Sequence, residues 1–235
     1  MKKIALIPAR VESKRFYGKL LEKVSGVPII IRTYQSALRT SLFDDVFVVT
    51  HNDQIINLIK SINGKYLRSS SKHESGTDRI AEVAINLKYD IIVNLQGDEP
   101  FIDRFSIKEL LNGFNDKKVQ MASLMRDFKD KNELNDSNNV KVIVDKNNYS
   151  INFSRVPMDS HSDNYKHIGV YAFRKETLIE FSKMEKTMME KMEKIECLRY
   201  IENGKKIKMF KTDFSTISID TPEDLIRAEE YLKRQ

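Results

Sequence analysis

Short apolar runs alternate with segments of helical period through the first part of the chain, and no all-helical or all-β fold reproduces that alternation. Lys3-Ile4-Ala5-Leu6-Ile7 is an apolar run stopped by Pro8, the pattern of a buried strand. Val46-Phe47-Val48-Val49 and Ile91-Ile92-Val93-Asn94-Leu95 read the same way. Between these runs, Ile30, Tyr34, Ala37 and Leu38 recur at i, i+4, i+7, i+8. Ile55, Leu58, Ile59 and Ile62 follow i, i+3, i+4, i+7, and Ile80, Val83, Ala84 and Leu87 repeat that spacing. Strands that are apolar throughout need cover on both faces, and amphipathic helices between them supply it. The expected fold is α/β, with a doubly wound, mostly parallel sheet.

The second half has a different rhythm. Residues 127–139 are polar and charged with no period, and they read as a loop. Val140-Lys141-Val142-Ile143-Val144 reads as a strand, Asp145 to Asn148 as a turn, and Tyr149 to Phe153 as a second strand. His167 to Phe173 is a third. Strands separated by turn-length gaps pair antiparallel, which predicts a smaller mixed α+β insert. Met184, Met188, Met192 and Ile195 fall at helical spacing and predict one helix with a core or dimer-packing stripe. Thr221-Pro222-Glu223-Asp224 combines a capping residue, a proline suited to the first helical position and two carboxylates at the positive end of the dipole. A helix from there to about Lys233 follows.

Composition narrows the class. At 235 residues the chain has the length of one large domain that buries its own core. Hydrophobic residues at 40% and charged ones at 31% exclude a disordered tail, a collagen and a membrane protein. Forty Lys and Arg against 34 Asp and Glu give +6, a balance compatible with a polyanionic ligand but not that of a polycation. A single cysteine, Cys197, forms no internal disulfide and favours a reducing compartment. Pro8 and Arg10 interrupt the N-terminal apolar stretch too early for a signal peptide. A soluble, cytoplasmic protein is expected.

The chemistry concentrates at strand ends, where doubly wound folds bind ligands. The loop after the first strand carries Arg10, Lys14, Arg15 and Lys19, four cations within ten residues, and such a loop suits a triphosphate. It is neither GxGxxG nor a Walker A loop. The strand Ile91 to Leu95 runs into Gln96-Gly97-Asp98-Glu99-Pro100, which puts a glycine and a carboxylate at the same edge. Asp220 supplies a second carboxylate just before the last helix. Mg²⁺ takes one or two carboxylates plus phosphate oxygens and water, so the three segments together describe a Mg-triphosphate site. The plainer readings are a solvated basic loop, a turn role for Asp98 and a cap or turn role for Asp220.

Pro8-Ala9-Arg10 with Ser13, Arg15, Gly18 and Lys19 resembles the phosphate loop of sugar-acid cytidylyltransferases. With His73-Glu74-Ser75-Gly76-Thr77-Asp78-Arg79, Gln96-Gly97-Asp98-Glu99-Pro100 and Asp220-Thr221-Pro222-Glu223-Asp224-Leu225, the resemblance narrows to the 3-deoxy-manno-octulosonate (Kdo) cytidylyltransferases, the CMP-Kdo synthetases. It spans essentially the whole chain and includes Asn139-Val140-Lys141-Val142, Phe153-Ser154-Arg155, His167-Ile168-Gly169-Val170-Tyr171 and Ile195-Glu196-Cys197-Leu198-Arg199. Two departures stand out. The phosphate loop, Ser13-Lys14-Arg15-Phe16-Tyr17-Gly18-Lys19-Leu20-Leu21, lacks the family's prolines, and the stretch from Val156 to Lys166 is short and lacks an arginine usual there.

The resemblance implies a nucleotide-diphospho-sugar transferase-like Rossmann-type fold. Residues 1–125 would be a nucleotide-binding core, about 126–210 a sugar-binding and dimerisation subdomain, and 211–235 a return to the core. It also implies Mg-dependent transfer of CMP from CTP to Kdo, with pyrophosphate released, in a homodimer serving lipopolysaccharide assembly. Ala9, Arg10, Arg15, Lys19, Ser75, Gly76 and Arg79 would bind the nucleotide, with Lys19, Arg15 and Asp98 as the catalytic set. Gln96, Arg155, His167 and Glu196 would contact the sugar, and Asp98 and Asp220 would hold Mg²⁺. His167 also reads as an edge-strand histidine, Glu196 as a solvated helix residue, Arg155 as a surface ion-pair partner and Cys197 as packed and inert. Two alternatives stay open: a related acid such as 8-amino-Kdo as substrate, and a non-catalytic nucleotide- or nucleic-acid-binding protein. Against the last, there is no zinc-ligand cluster, RNP-type motif or basic stripe with interleaved aromatics. Neither a nucleic acid nor a membrane is expected as a partner.

Overall fold

A computed structural model describes residues 1–13, 16–70, 73–159, 163–214 and 217–234. The chain divides into two compact units, residues 1–107 with 215–235, and residues 108–214.

The first unit opens with β1 (Lys3–Pro8). A two-residue hairpin follows, β2 (Lys23–Val24) and β3 (Val27–Pro28), turning through Ser25 and Gly26, both at positive φ. Then come α1 (Ile29–Arg39), β4 (Asp45–Thr50), α2 (Asp53–Ser61), β5 (Tyr66–Arg68), α3 (Gly76–Ala84) and β6 (Ile91–Asn94). β1, β4 and β6 are the strands expected from the apolar runs, and α1, α2 and α3 the helices expected from the spacings, whereas the short strands β2, β3 and β5 carry no such run. Every strand pair in the order β6-β1-β4-β5 is parallel. β6 is buried along its length and β1 beyond its first residue, as strands covered on both faces must be. Ile30, Tyr34 and Ala37 of α1 are buried, and the expected fourth member, Leu38, is exposed. β4 and β5 lie to one side of β1 and β6 to the other. The connections therefore reverse direction at β1, and its carboxyl end is the switch point at which α/β sheets bind ligands.

α4 (Arg104–Asn112) carries the chain onward to β7 (Met121–Arg126), α5 (Lys131–Asn135), β8 (Lys141–Val144), β9 (Ser150–Ser154) and β10 (Tyr165–Arg174). The second unit closes with α6 (Lys175–Lys183), α7 (Met188–Glu193), α8 (Cys197–Glu202) and β11 (Lys208–Lys211). β10 pairs antiparallel with β7 and β8, β8 antiparallel with β9, and β11 parallel with β7, so this unit is mixed as expected. Phe153, His167, Tyr171, Phe173, Phe181 and Tyr200 form a chain of ring contacts through its core.

Two local expectations need correction. Residues 127–139 contain α5, a single turn nucleated by the Asp130 carboxylate accepting from the Glu133 amide at 2.8 Å. The methionine stripe does not lie on one helix. Met184 is extended and ends α6, Thr187 caps α7, and Lys194 ends α7 in the left-handed region at φ 56. Met188 and Met192 are 74% and 65% exposed, whereas Ile195 is buried. Apolar periodicity ran straight through two helix ends.

The chain closes on α9 (Pro222–Lys233) in the first unit. The Asp224 carboxylate accepts from the amides of Asp220 and Thr221 at 2.8 and 2.9 Å, and Pro222 takes the position where its missing N–H costs nothing.

Candidate active site

The site lies where β1 and β6 end. After β1 the Ala9 amide donates to the Val49 carbonyl, and the Gly18 amide closes the loop on the Val11 carbonyl, both at 2.9 Å. Gly18 sits at φ +73, a conformation that favours glycine, and it aims the chain into one tight turn, Lys19–Leu21. Lys19 is thereby buried at the edge of the sheet.

Its ammonium is held by two carboxylates. Lys19 Nζ donates to Asp98 Oδ2 at 2.5 Å and to Asp220 Oδ1 at 2.8 Å. Asp98 follows β6, on a turn whose Gly97 packs so closely that a Cβ would stand 3.1 Å from both Leu20 and the Pro8 carbonyl. Thr33 Oγ1 fixes that turn by donating to the Gly97 carbonyl at 2.8 Å. Asp220 is brought alongside by the Ile219 amide, which donates to the Asp98 carbonyl at 3.0 Å. Burial alone would lower the Lys19 pKa, but the adjacent Asp98 and Asp220 outweigh it and raise it.

The same pair of carboxylates fits a divalent cation. No group of three or more His, Cys, Asp or Glu side chains converges anywhere among the described residues. Two carboxylates drawn to one cationic nitrogen are nevertheless the donor set Mg²⁺ uses when phosphate oxygens and water complete its shell.

Beside this cluster, the ends of β4 and β5 and the start of α3 form a second group of polar side chains. Ser75 caps α3, its Oγ accepting from the Asp78 amide at 3.1 Å. Gly76 lies against Pro8, where a Cβ would meet the ring at 2.9 Å. Arg79 is buried, and its Nη1 reaches Ser69 Oγ at 2.5 Å, the Ser70 carbonyl at 3.1 Å and His51 Nδ1 at 3.2 Å. Burial, then the charge of Arg10, lowers its pKa. Glu82 ties the preceding segment down, accepting from the Ser70 amide at 2.9 Å and facing His73 Nε2 at 2.8 Å. Ala9 is buried and Arg10 exposed on the loop after β1. Arg15 and Lys14 lie outside the described residues.

Sequence reasoning missed His51, Ser69, Ser70 and Glu82. The first three share one signal: they directly follow the ends of β4 and β5, parallel to β1.

The sugar candidates are distributed over both units. Gln96 is half-buried in the first, with its amide 3.4 Å from Asn94 Oδ1. In the second unit Arg155 follows β9, donating from Nε to the Glu193 carbonyl at 2.8 Å and from Nη1 to the Ser137 carbonyl at 3.0 Å. His167 sits on β10 with its Nε2 2.9 Å from Ser123 Oγ and its ring edge-on to Phe153. Burial pushes its pKa down to about 3, so the ring is neutral. Glu196 stands half-buried at the cap of α8. Cys197 is buried beside it, its thiol pKa raised by burial and then by Glu196, which leaves it inert as a nucleophile.

Comparison with known proteins covers the whole chain. A family described as cytidylyltransferase matches residues 4–207. A 3-deoxy-manno-octulosonate cytidylyltransferase of Flavobacterium johnsoniae is 48% identical, with 99% of each chain covered. One of Christiangramia forsetii is 45% identical over 97% of this chain and 96% of its own. A solved structure of a CMP:2-keto-3-deoxy-manno-octonic acid synthetase complexed with CTP superposes with a TM-score of 0.93 at 32% identity, covering 100% of this chain and 99% of that one.

Proposed function

The chain belongs to the 3-deoxy-manno-octulosonate cytidylyltransferase family, and from that membership we propose how its own residues carry the reaction. The protein transfers CMP from CTP to Kdo and releases pyrophosphate. The anomeric oxygen of the sugar forms a bond to the α-phosphorus, the bond from that phosphorus to the bridging oxygen breaks in line, and the hydroxyl proton passes to solvent. Such a displacement asks the protein for positioning and charge neutralisation rather than covalent chemistry.

The observation that carries the assignment of roles is the Lys19 ammonium held between Asp98 and Asp220. Lys19 has two possible partners during the cycle: the carboxylates that hold it now and the triphosphate that the loop after β1 is suited to receive. As CTP enters that loop, Lys19 moves onto its phosphates together with Arg10 and Arg15, and Asp98 and Asp220 become available to Mg²⁺. Asp98 and Asp220 would hold Mg²⁺ there, and the ion would supply Lewis-acid charge neutralisation for the transfer. Lys19 then sits where negative charge grows on the leaving pyrophosphate, an interaction strongest in the transition state. Ser75, Gly76 and Arg79 line the nucleotide side. Buried Arg79 there fixes the segment that includes Ser69 and Ser70.

Gln96, Arg155, His167 and Glu196 recognise the sugar acid. Arg155 meets its carboxylate, and the neutral His167 acts as a hydrogen-bonding group rather than a charge. The segment from about residue 126 to 210 accordingly serves sugar binding, and it also serves pairing of two copies. Met188 and Met192 on α7 offer exposed apolar surface for that contact. No helix among the described residues is long and apolar enough to cross a membrane, and a CTP-consuming enzyme with one buried thiol suits the cytoplasm.

Titration of Mg²⁺ into the Asp98→Asn and Asp220→Asn variants tests the metal assignment. Both variants are expected to fold and to need far more Mg²⁺ for any turnover, because an amide is the poorer ligand. Normal turnover at limiting Mg²⁺ in either variant would remove that residue from the site.

A further inference from the structure

β8 begins with a lysine that is completely buried, and nothing in the reaction described above uses it. Lys141 is 0% exposed, and Val142, Ile143 and Val144 after it are buried apolar residues. Ammonium groups taken out of water normally meet a carboxylate. Here the three acceptors are backbone carbonyls: Asp136 at 2.7 Å, Asn139 at 2.9 Å and Arg155 at 2.8 Å. The ring of Phe128 stands 6.0 Å away. Its neighbours in the unit are treated differently. Lys166, opposite Lys141 in the β8–β10 register, donates to Glu133 at 2.9 Å, and Arg126 pairs with the same carboxylate.

The choice of carbonyls decides what Lys141 does. Two of them belong to the 136–139 turn and the third to Arg155, which is remote in sequence. Arg155 returns the tie, since its Nη1 donates to the Ser137 carbonyl at 3.0 Å. Backbone and guanidinium of Arg155 are therefore both fastened to one turn, and α7 holds the other side through the Glu193 carbonyl at 2.8 Å. An apolar residue at position 141 would fill the space but take the ammonium from all three carbonyls, with the Asp136 carbonyl keeping the Asn139 amide at 3.1 Å. Arg155 would then keep its charge and lose its fixed direction.

We propose that Lys141 is a positioning residue for sugar-acid recognition, its buried ammonium clamping the 136–139 turn to the Arg155 backbone so that the Arg155 guanidinium is preorganised for the substrate carboxylate. This rests on the assignment of Arg155 to the sugar acid. Preorganised groups bind without the cost of being ordered at the moment of contact, which is what the clamp supplies.

The test is a double-mutant cycle between Lys141→Met and Arg155→Ala, read as KM for Kdo and for CTP in folded protein. Lys141→Arg is carried alongside, since it keeps the charge while its planar fork cannot converge on three carbonyls. Lys141→Met is expected to raise KM for Kdo about tenfold and leave that for CTP within about twofold. Lys141→Arg moves it the same way by less. On the Arg155→Ala background either change adds less than about twofold, because the group being positioned is gone. Losses that multiply across the cycle, equal losses for CTP and Kdo, or a folded Lys141→Arg with unaltered KM would overturn the proposal. An Arg155→Ala variant with normal KM for Kdo would overturn the assignment of Arg155 itself, a result that the single variant reports before the cycle is read.

Discussion

Replacing Lys19 by methionine removes the ammonium from between Asp98 and Asp220 and keeps most of the side-chain volume. The side chains of the three residues are 11%, 22% and 32% exposed, so the ion pairs are screened only in part. Two charge-assisted hydrogen bonds at about 1.5–3 kcal/mol each, reduced for that exposure, put the cost of drawing Lys19 away at about 2–3 kcal/mol. A divalent cation binding wild-type protein without nucleotide must meet that cost, and in Lys19→Met it does not. Affinity for Mg²⁺ or Mn²⁺ in the absence of CTP should therefore rise about 30- to 150-fold. Calorimetric titration of Mg²⁺ and the loss of free Mn²⁺ signal in electron paramagnetic resonance both read this directly. Without metal the variant leaves two carboxylates facing each other and should melt earlier, and added Mg²⁺ should recover more of its Tm than in wild type. Turnover should collapse while CTP binding weakens less, because the lost contact strengthens as charge moves to the leaving group. Unchanged or weaker metal affinity in folded Lys19→Met would refute the argument that Lys19 and the metal compete for one pair of carboxylates.

Two further outcomes follow from charges in the second unit. Burial would raise the pKa of Glu133, but Arg126, the Lys129 amide and Lys166 outweigh it and hold the carboxyl at about 2, against an ordinary 4.5. Its stabilisation is thus complete above pH 4.5 and is lost as the pH falls toward 2; Glu133→Gln should lose about 2–3 kcal/mol near neutrality and show a flatter acid limb in urea unfolding. His167, with its pKa pushed by burial from 6.5 to about 3, should show no ring protonation in nitrogen-detected NMR at any pH above about 4, and a ring titrating near 6.5 would contradict its burial.

Much of the first unit is legible because β1 and β6, its central strands, are buried on both faces. A run such as Ile4-Ala5-Leu6-Ile7 has only one environment that suits it, and β1 was drawn from the sequence to within a residue. The caps were equally local: Thr221, Pro222 and Asp224 define the start of α9 with contacts inside four residues. Asp98 and Asp220 could be chosen as a pair because both end up at one edge of a sheet whose direction the pattern implied. What failed depended on contacts made at a distance or on helix ends. The Met184 to Ile195 stripe broke because caps at Thr187 and Lys194 interrupt a period that apolar spacing alone carries through. The 127–139 segment hid α5, whose one turn rests on the Asp130 cap and on Glu133 gripping Arg126. Lys19 was assigned to phosphate from its loop, and no sequence signal announced that its present partners are the two aspartates. Lys141 looked like one polar residue in a strand, since its carbonyl partners are fixed by the turn and by Arg155 rather than by any neighbour in β8.

The central claim is CMP transfer to a sugar acid at the Lys19–Asp98–Asp220 site, and its most direct measurement is pyrophosphate release by the wild-type protein. CTP, Mg²⁺ and one ulosonic acid at a time are supplied, with each component omitted in turn. Release is expected only when CTP, Mg²⁺ and Kdo are all present, in step with CMP-Kdo formation, and at the Mg²⁺ concentration that suffices for wild type Asp98→Asn should lose most of both together. Release that persists without a sugar acid, or with Mg²⁺ withdrawn, would contradict the account.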